Sequence, residues 1–227
     1  KQNGRGFNAN LHIVRTGQID GSEKPLLEKS VQSAITWTGD QAVQVVFDNR
    51  QAVANGETKT GATLHVMTSR PDAGPIVDQE EVGIGPEDTA FEVQTRVTAA
   101  AVRLLERNLA KLRAGSVASP PQEESLATTF GRRRPEDGRI DWSLSAREIH
   151  NLVRAVTRPY PGAFTDLFGG KTYIWKTRVP GLAAHDTYPG EVRREGGGLY
   201  VACGDDHYLE ILRLQRLASP RQVVRAS

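Results

Sequence analysis

One long stretch of the chain repeats its apolar residues at helical period. Val93, Val97, Ala101, Leu104, Leu105, Leu109 and Leu112 recur at helical period, which predicts an amphipathic helix whose stripe covers a sheet. Thr89 and Glu92 have capping-box spacing at its start, and Gly115 supplies a stop. A second helix is predicted ahead of Pro159, where Ser145 and Glu148 repeat the capping box and Ile149, Leu152, Val153 and Val156 form one apolar face. Its other face carries Arg147, Asn151, Arg154 and Arg158 at i, i+4, i+7 and i+11, a polar and mostly basic stripe. Elsewhere the pattern is that of strands. Residues 33–38, 42–47, 60–67 and 76–82 read as short strands, with the acidic end of the last, Asp78 to Glu81, expected to face solvent. After Pro161 five more follow at 162–168, 171–179 across a Gly169-Gly170 turn, 190–194, 199–203 and 209–217.

Between the two helices, residues 115–127 lose all periodicity and gain proline and serine, which is the composition of a linker. This divides the chain into a first domain over 1–115 with residues 1–50 unassigned, a linker at 116–128, and a second domain over 129–227. Five closely spaced strands in the second suggest a small barrel of the OB type, other small barrels remaining open. At 227 residues two domains of ordinary size are expected. No apolar run approaches the ~20 residues of a membrane span, and the single Cys203 cannot pair within the chain, so a cytoplasmic protein is expected. The chain opens at Lys1 on a polar stretch without an initiator Met, as a piece of a longer protein would.

Charge adds one asymmetry. Residues 1–100 carry 9 Lys/Arg against 13 Asp/Glu, and the remainder 20 against 14. The basic second half suits an anionic partner, either RNA phosphates or a nucleotide-linked substrate, or else is ordinary solvated surface.

Chemistry is sparse. The five His and one Cys are scattered without metal-ligand spacing, and neither a Gly-Xaa-Ser-Xaa-Gly elbow nor a glycine-rich phosphate loop occurs. What remains is Asn10 and His12, His65, and Asp72 in a Pro-Asp-Ala-Gly loop. On residue chemistry alone Asp72 is a turn former, His65 a structural histidine within an apolar strand, and Asn10-Leu-His12 a tripeptide with alternate residues on one strand face.

Six segments taken in order add a different reading. They are Thr60-Gly-Ala-Thr-Leu-His65, Arg70-Pro-Asp-Ala-Gly-Pro-Ile76, Phe130-Gly-Arg-Arg133, Ile140-Asp-Trp142, Ile149-His-Asn-Leu-Val-Arg-Ala155 and Pro159-Tyr-Pro-Gly-Ala-Phe164. Together they resemble the folate-dependent formyltransferases, which use 10-formyltetrahydrofolate and include methionyl-tRNA formyltransferase and the enzyme acting on UDP-4-amino-4-deoxy-L-arabinose. The resemblance implies a partial or remodelled doubly wound, Rossmann-like α/β domain followed by an OB-like barrel. It also implies Asn10, His12 and Asp72 as the catalytic group and a folate-contacting loop over Thr68, Ser69, Arg70, Pro71 and Asp72. Arg147, Arg154 and Arg158 would then serve the acceptor, a UDP-aminosugar or initiator tRNA. The family's Ser-Leu-Leu-Pro and Arg-Gly loop does not follow His12. A non-catalytic binding or regulatory remnant of such an enzyme is therefore the reading from a different class.

Overall fold

The computed structural model describes residues 35–38, 41–46, 49–68, 73–122, 135–167 and 169–217. The chain divides into two compact units, one of Lys1–Ala52, Glu57–Pro86 and Glu92–Gly131, the other of Val53–Gly56, Glu87–Phe91 and Arg132–Ser227. Both mix helix and sheet, giving the α/β class that the two periodicities predict.

In the first unit, β1 (Ile35–Thr38), β2 (Gln41–Val46), β3 (Lys59–Val66) and β4 (Ile76–Gly83) form one sheet in that order. A short helix α1 (Asn49–Ala54) lies between β2 and β3 in the chain. Every pairing among the described strands of this sheet is antiparallel. For two of the three pairings the connections require it: two residues join β1 to β2 and nine join β3 to β4, whereas parallel neighbours need a crossover of about a dozen or more.

The long helix α2 (Ala90–Arg113) follows β4 and buries Val93, Val97, Ala101, Leu104 and Leu112, as its period predicts. Leu105 is only half-buried and Leu109 is 42% exposed, and Asn108 takes the buried place beside it. Asn108 Nδ2 donates to Asp78 Oδ2 at 2.6 Å and to Leu104 O at 2.9 Å.

Polar contacts set the direction of α2 along β4. Arg96 reaches Gly83 O, Arg103 reaches Glu80, and Arg107 reaches both Glu80 and Asp78, so the helix runs antiparallel to the strand. Eleven residues of helix from Arg96 to Arg107 span about 16 Å. Five residues of strand from Gly83 to Asp78 span about 17 Å. Carboxylates two apart on a strand thus match cations four apart on a helix. The acidic end of β4 is corrected accordingly: Gln79 and Glu81 face solvent, but Asp78 and Glu80 lie half-buried against α2.

The hydrogen bond from Arg107 holds the Asp78 carboxyl below its ordinary value, against the opposing effect of its partial burial. A depressed folded-state pKa contributes stability above the unfolded value and loses it as pH falls. Acid unfolding should therefore steepen below about pH 4, and Asp78→Asn should flatten that limb while lowering stability at neutral pH. A variant with the wild-type acid profile would remove Asp78 from the account.

The second unit holds α3 (Ala146–Val156) against a five-stranded sheet of β5 (Ala163–Leu167), β6 (Gly170–Arg178), β7 (Val192–Glu195), β8 (Gly198–Ala202) and β9 (Tyr208–Arg216), in order β5-β6-β9-β8-β7. All five predicted strands are present. The capping box is too: Ser145 Oγ accepts from Glu148 N, and Glu148 accepts from Ser145 N. Ile149 and Val153 of α3 are buried, as are Ile174, Val201 and Leu209 of the sheet.

No ladder among the described residues joins β5 to β7, so these five strands form an open sheet rather than a closed barrel among them. The outer edge of β5 is already occupied. Arg139 bridges Phe164 in parallel, and Ile140 N donates to Phe164 O at 2.8 Å. Trp142 Nε1 extends this contact by donating to Thr165 Oγ1 at 3.0 Å. A Cβ on Gly138 would meet Gly162 O at 2.7 Å, so only glycine lets these two segments approach. The Ile140-Asp-Trp142 and Pro161-Gly-Ala-Phe164 motifs are thus the two sides of one structural seam.

Candidate functional site

Asn10, His12, Ser69, Arg70, Pro71 and Asp72 lie outside the described residues. Thr68 is described and exposed just beyond the end of β3. The structure does define the base on which the Asp72 loop stands. Val66 N, at the end of β3, donates to Pro75 O at 2.9 Å. Buried Gly74 is pressed against the Val66 carbonyl, and a Cβ there would also come within 3.1 Å of His65 Nδ1.

From the other side, Ile76 N donates to Pro120 O at 3.0 Å, and Gln122 Nε2 donates to Gly74 O at 2.6 Å. Residues 116–122, which read as linker composition, are in this way joined to the first unit. His65 itself is 2% exposed, with Nδ1 2.9 Å from Val66 O. Among the described residues its Nε2 meets no hydrogen-bond partner. Such an orphaned polar atom inside a protein fits a polar ligand or ordered water close by.

The basic stripe of α3 does not stay together. Arg147 is exposed. Arg158 lies past the helix C-cap at Thr157, stacks 4.8 Å from the Trp175 ring centroid and donates to Gln215 Oε1 at 3.3 Å. Arg154 is 7% exposed, with Nε donating to Asn151 Oδ1 and Nη1 to Asp88 O, both at 2.9 Å. Burial pushes the Arg154 pKa below the ordinary arginine value; Asp88 and Glu87 oppose that shift and Arg147 adds to it.

Asn151 and His150 complete this internal face. Gly56, at φ +72°, leaves room for the Asn151 amide, which a Cβ would meet at 2.7 Å. His150 Nδ1 is 3.0 Å from Thr177 Oγ1, and its Nε2 is 3.7 Å from Glu87 Oε1. Sequence period placed Asn151 and Arg154 on one helix face but could not say that the face is covered by Val53–Gly56 and Glu87–Phe91.

A second polar cluster escaped the sequence reading. Phe164, Tyr173 and Trp175 form a row on the sheet, with Tyr173 and Trp175 stacked at 5.6 Å. Lys171 Nζ sits 3.9 Å from the Phe164 ring centroid. The available signal was the period-2 alternation of Lys171, Tyr173 and Trp175, which puts all three on one strand face. Cys203 is no nucleophile here: burial, with the Asp205 charge adding, pushes its thiol up to about 12. Among the described residues no three His, Cys, Asp or Glu side chains gather as metal ligands, and no helix is long and apolar enough to cross a membrane.

Residues 37–109 match the family model described as formyl transferase, and residues 132–225 match that of the formyl transferase C-terminal domain. Among solved structures, an N-formyltransferase from Helicobacter canadensis, crystallised with folinic acid and dTDP-3-aminofucose, superposes with a TM-score of 0.59 at 20% identity, over 74% of this chain and 60% of that one. WlaRD, a sugar 3N-formyltransferase crystallised with dTDP and 5-N-formyl-tetrahydrofolate, gives 0.58 at 19% identity over 76% and 60%. HypX from Aquifex aeolicus, in complex with tetrahydrofolic acid, gives 0.57 at 19% identity over 75% and 30%. The chain therefore spans about 60% of the length of the first two. At these identities the likeness is one of fold.

Proposed function

This chain belongs to the formyl transferase family, and from that premise we propose that it transfers a formyl group from 10-formyltetrahydrofolate to a primary amine of a nucleotide-linked aminosugar. The observation that carries the reading is the anchored base of the Asp72 loop, held by β3 on one side and by residues 120–122 on the other. A loop fixed at its root can present a carboxylate at a constant place. His65 Nε2, which meets no hydrogen-bond partner among the described residues, fits a polar ligand in the same region. Folate compounds and a dTDP-aminosugar in the similar structures support the choice of donor and acceptor.

The donor supplies the formyl carbon; the remaining work falls to side chains. Asn10 donates a hydrogen bond to the formyl oxygen as negative charge develops there. His12 accepts the proton that leaves the attacking amine nitrogen and returns it to the folate nitrogen as the carbon–nitrogen bond to the donor breaks. Asp72 favours the imidazolium and raises the histidine pKa, making it a stronger base near neutrality. The products are a formamide and tetrahydrofolate, so atoms and charge balance.

Isothermal titration of this chain with 5-formyltetrahydrofolate, followed by turnover assays with UDP- and dTDP-aminosugars, tests the reading. Heat of binding at or below millimolar ligand and formamide production are expected. Absence of binding at millimolar concentration points instead to a non-catalytic remnant. Binding of initiator tRNA with a steep salt dependence, without turnover of either sugar nucleotide, points to a tRNA substrate.

A further inference from the structure

The sheet of the second unit packs one face against α3, which meets β5, β6 and β9. Along β6 the buried residues are Thr172, Ile174 and Thr177, so the alternation slips by one residue after Ile174. β9 slips opposite it: Ile174 pairs with Leu214, Lys176 with Arg213, and Thr177 with Ile211. A bulge of this kind re-aims side chains. Here it sets Trp175 and Lys176 side by side on the face away from α3, where unbroken alternation would turn one of them inward.

Charge on the sheet is unevenly paired. Arg178 donates to Glu210 at 2.7 Å, Arg193 lies 2.8 Å from Glu195, and Arg139 donates to Asp166 at 2.7 Å. Lys176 and Arg213 are both exposed and stand opposite each other in the ladder, and among the described residues neither meets a carboxylate. Like charges placed opposite each other destabilise an antiparallel pair, and a bound anion removes that cost.

A flat cation is held beside them. The Arg158 guanidinium lies 4.8 Å from the Trp175 ring centroid, and Gln215 Oε1 accepts from Arg158 Nη2 at 3.3 Å and from Trp175 Nε1 at 3.2 Å. Those two donors fix which atom of the Gln215 amide is the oxygen. Its Nε2 meets no partner among the described residues. Tyr173 stacks on Trp175 at 5.6 Å, and Lys171 Nζ covers Phe164 at 3.9 Å and Tyr173 at 5.2 Å. The outer plane of Arg158 is therefore the flat surface left for a base to stack on. Arg213 is two residues from Gln215 on β9, about 7 Å along the strand.

We propose that this face binds a nucleoside diphosphate. The base stacks on Arg158, Gln215 Nε2 donates to a base carbonyl, and the diphosphate lies between Lys176 and Arg213. One stacking plane and two adjacent cations suit a single nucleotide, whereas a nucleic-acid strand uses a series of open ring faces. The site stands on the second unit alone; that its nucleotide is the acceptor's rests on the reading of a nucleotide-linked aminosugar.

The test titrates the full chain with UDP, dTDP, inorganic pyrophosphate and a short oligothymidylate. Isothermal titration gives Kd, and NMR follows the Trp175 Nε1–H and the Lys176 and Arg213 amides. UDP and dTDP are expected to shift all three signals with Kd below about 1 mM, and pyrophosphate to bind about tenfold more weakly. Arg158→Ala should raise the Kd of UDP about tenfold and leave that of pyrophosphate within about twofold. Lys176→Gln with Arg213→Gln should weaken both ligands about tenfold or more, with a melting temperature no lower than wild type because the like-charge pair is gone.

UDP and dTDP that leave the three signals unmoved at about 10 mM overturn the inference. So does an affinity that the double variant leaves unchanged, and so does an oligothymidylate that binds this face more tightly than dTDP. Formamide production from a sugar nucleotide beside unmoved signals overturns the inference and leaves the acceptor reading intact. Nucleotide binding here without turnover of either sugar nucleotide supports the inference and overturns that reading.

Discussion

Gly74→Ala is expected to abolish turnover and to lower stability by roughly 3–5 kcal/mol, from overpacking of about 1–3 kcal/mol and two strained hydrogen bonds of about 1 kcal/mol each. A Cβ at this position would fall inside the envelope of the Val66 carbonyl oxygen, 2.7 Å from the Val66 carbonyl carbon and 3.1 Å from His65 Nδ1. The obstacle is backbone in the sheet, so no side-chain rotation relieves it. Relief requires the loop base to move off β3, which strains Val66 N to Pro75 O on one side and Gln122 Nε2 to Gly74 O on the other.

Gly83→Ala is the matched control. It lies at the end of β4 with nothing within 4 Å of an added Cβ, and should change stability by no more than about 0.5 kcal/mol. Equilibrium urea unfolding of both variants decides the matter. A Gly74→Ala protein as stable as Gly83→Ala would mean that the loop base is not fixed as described.

What could be read from the sequence follows from the range of each interaction. The period of α2, the capping box of Ser145 and Glu148 and the five strands after Pro161 are local, and local spacing was enough to place them. The pairing of Asp78 and Glu80 with Arg103 and Arg107 was not, because solvent is the default neighbour of an acidic strand end until a helix is known to lie over it. For the site, the Pro71-Asp-Ala-Gly74 motif marked the loop directly. Its clamp joins residues 48 positions apart through a side-chain amide and a carbonyl, and no spacing rule foretells that.

The arginine stripe shows the same limit and leads to the second large effect. Arg154→Met should cost about 3–6 kcal/mol, since hydrogen bonds from a charged donor contribute about 1.5–3 kcal/mol each and two such bonds are lost. Methionine keeps most of the apolar stem, so the loss reports the guanidinium rather than a cavity. The two bonds run in different directions, to Asn151 Oδ1 and to Asp88 O. Arg154→Lys should therefore recover less than half, because one ammonium does not reproduce the planar fork.

Arg147→Met is the contrast: exposed in the same helix, it should stay within about 0.5 kcal/mol of wild type. Urea unfolding measured beside acceptor KM separates the roles. A clamp residue lowers the unfolding midpoint, whereas an acceptor-binding arginine raises KM and leaves the midpoint in place. The first outcome is expected at Arg154. If Arg154→Met instead raised KM in a fully stable protein, the internal bonds to Asn151 and Asp88 would have to yield to substrate, and the polar face of α3 would return to the acceptor site.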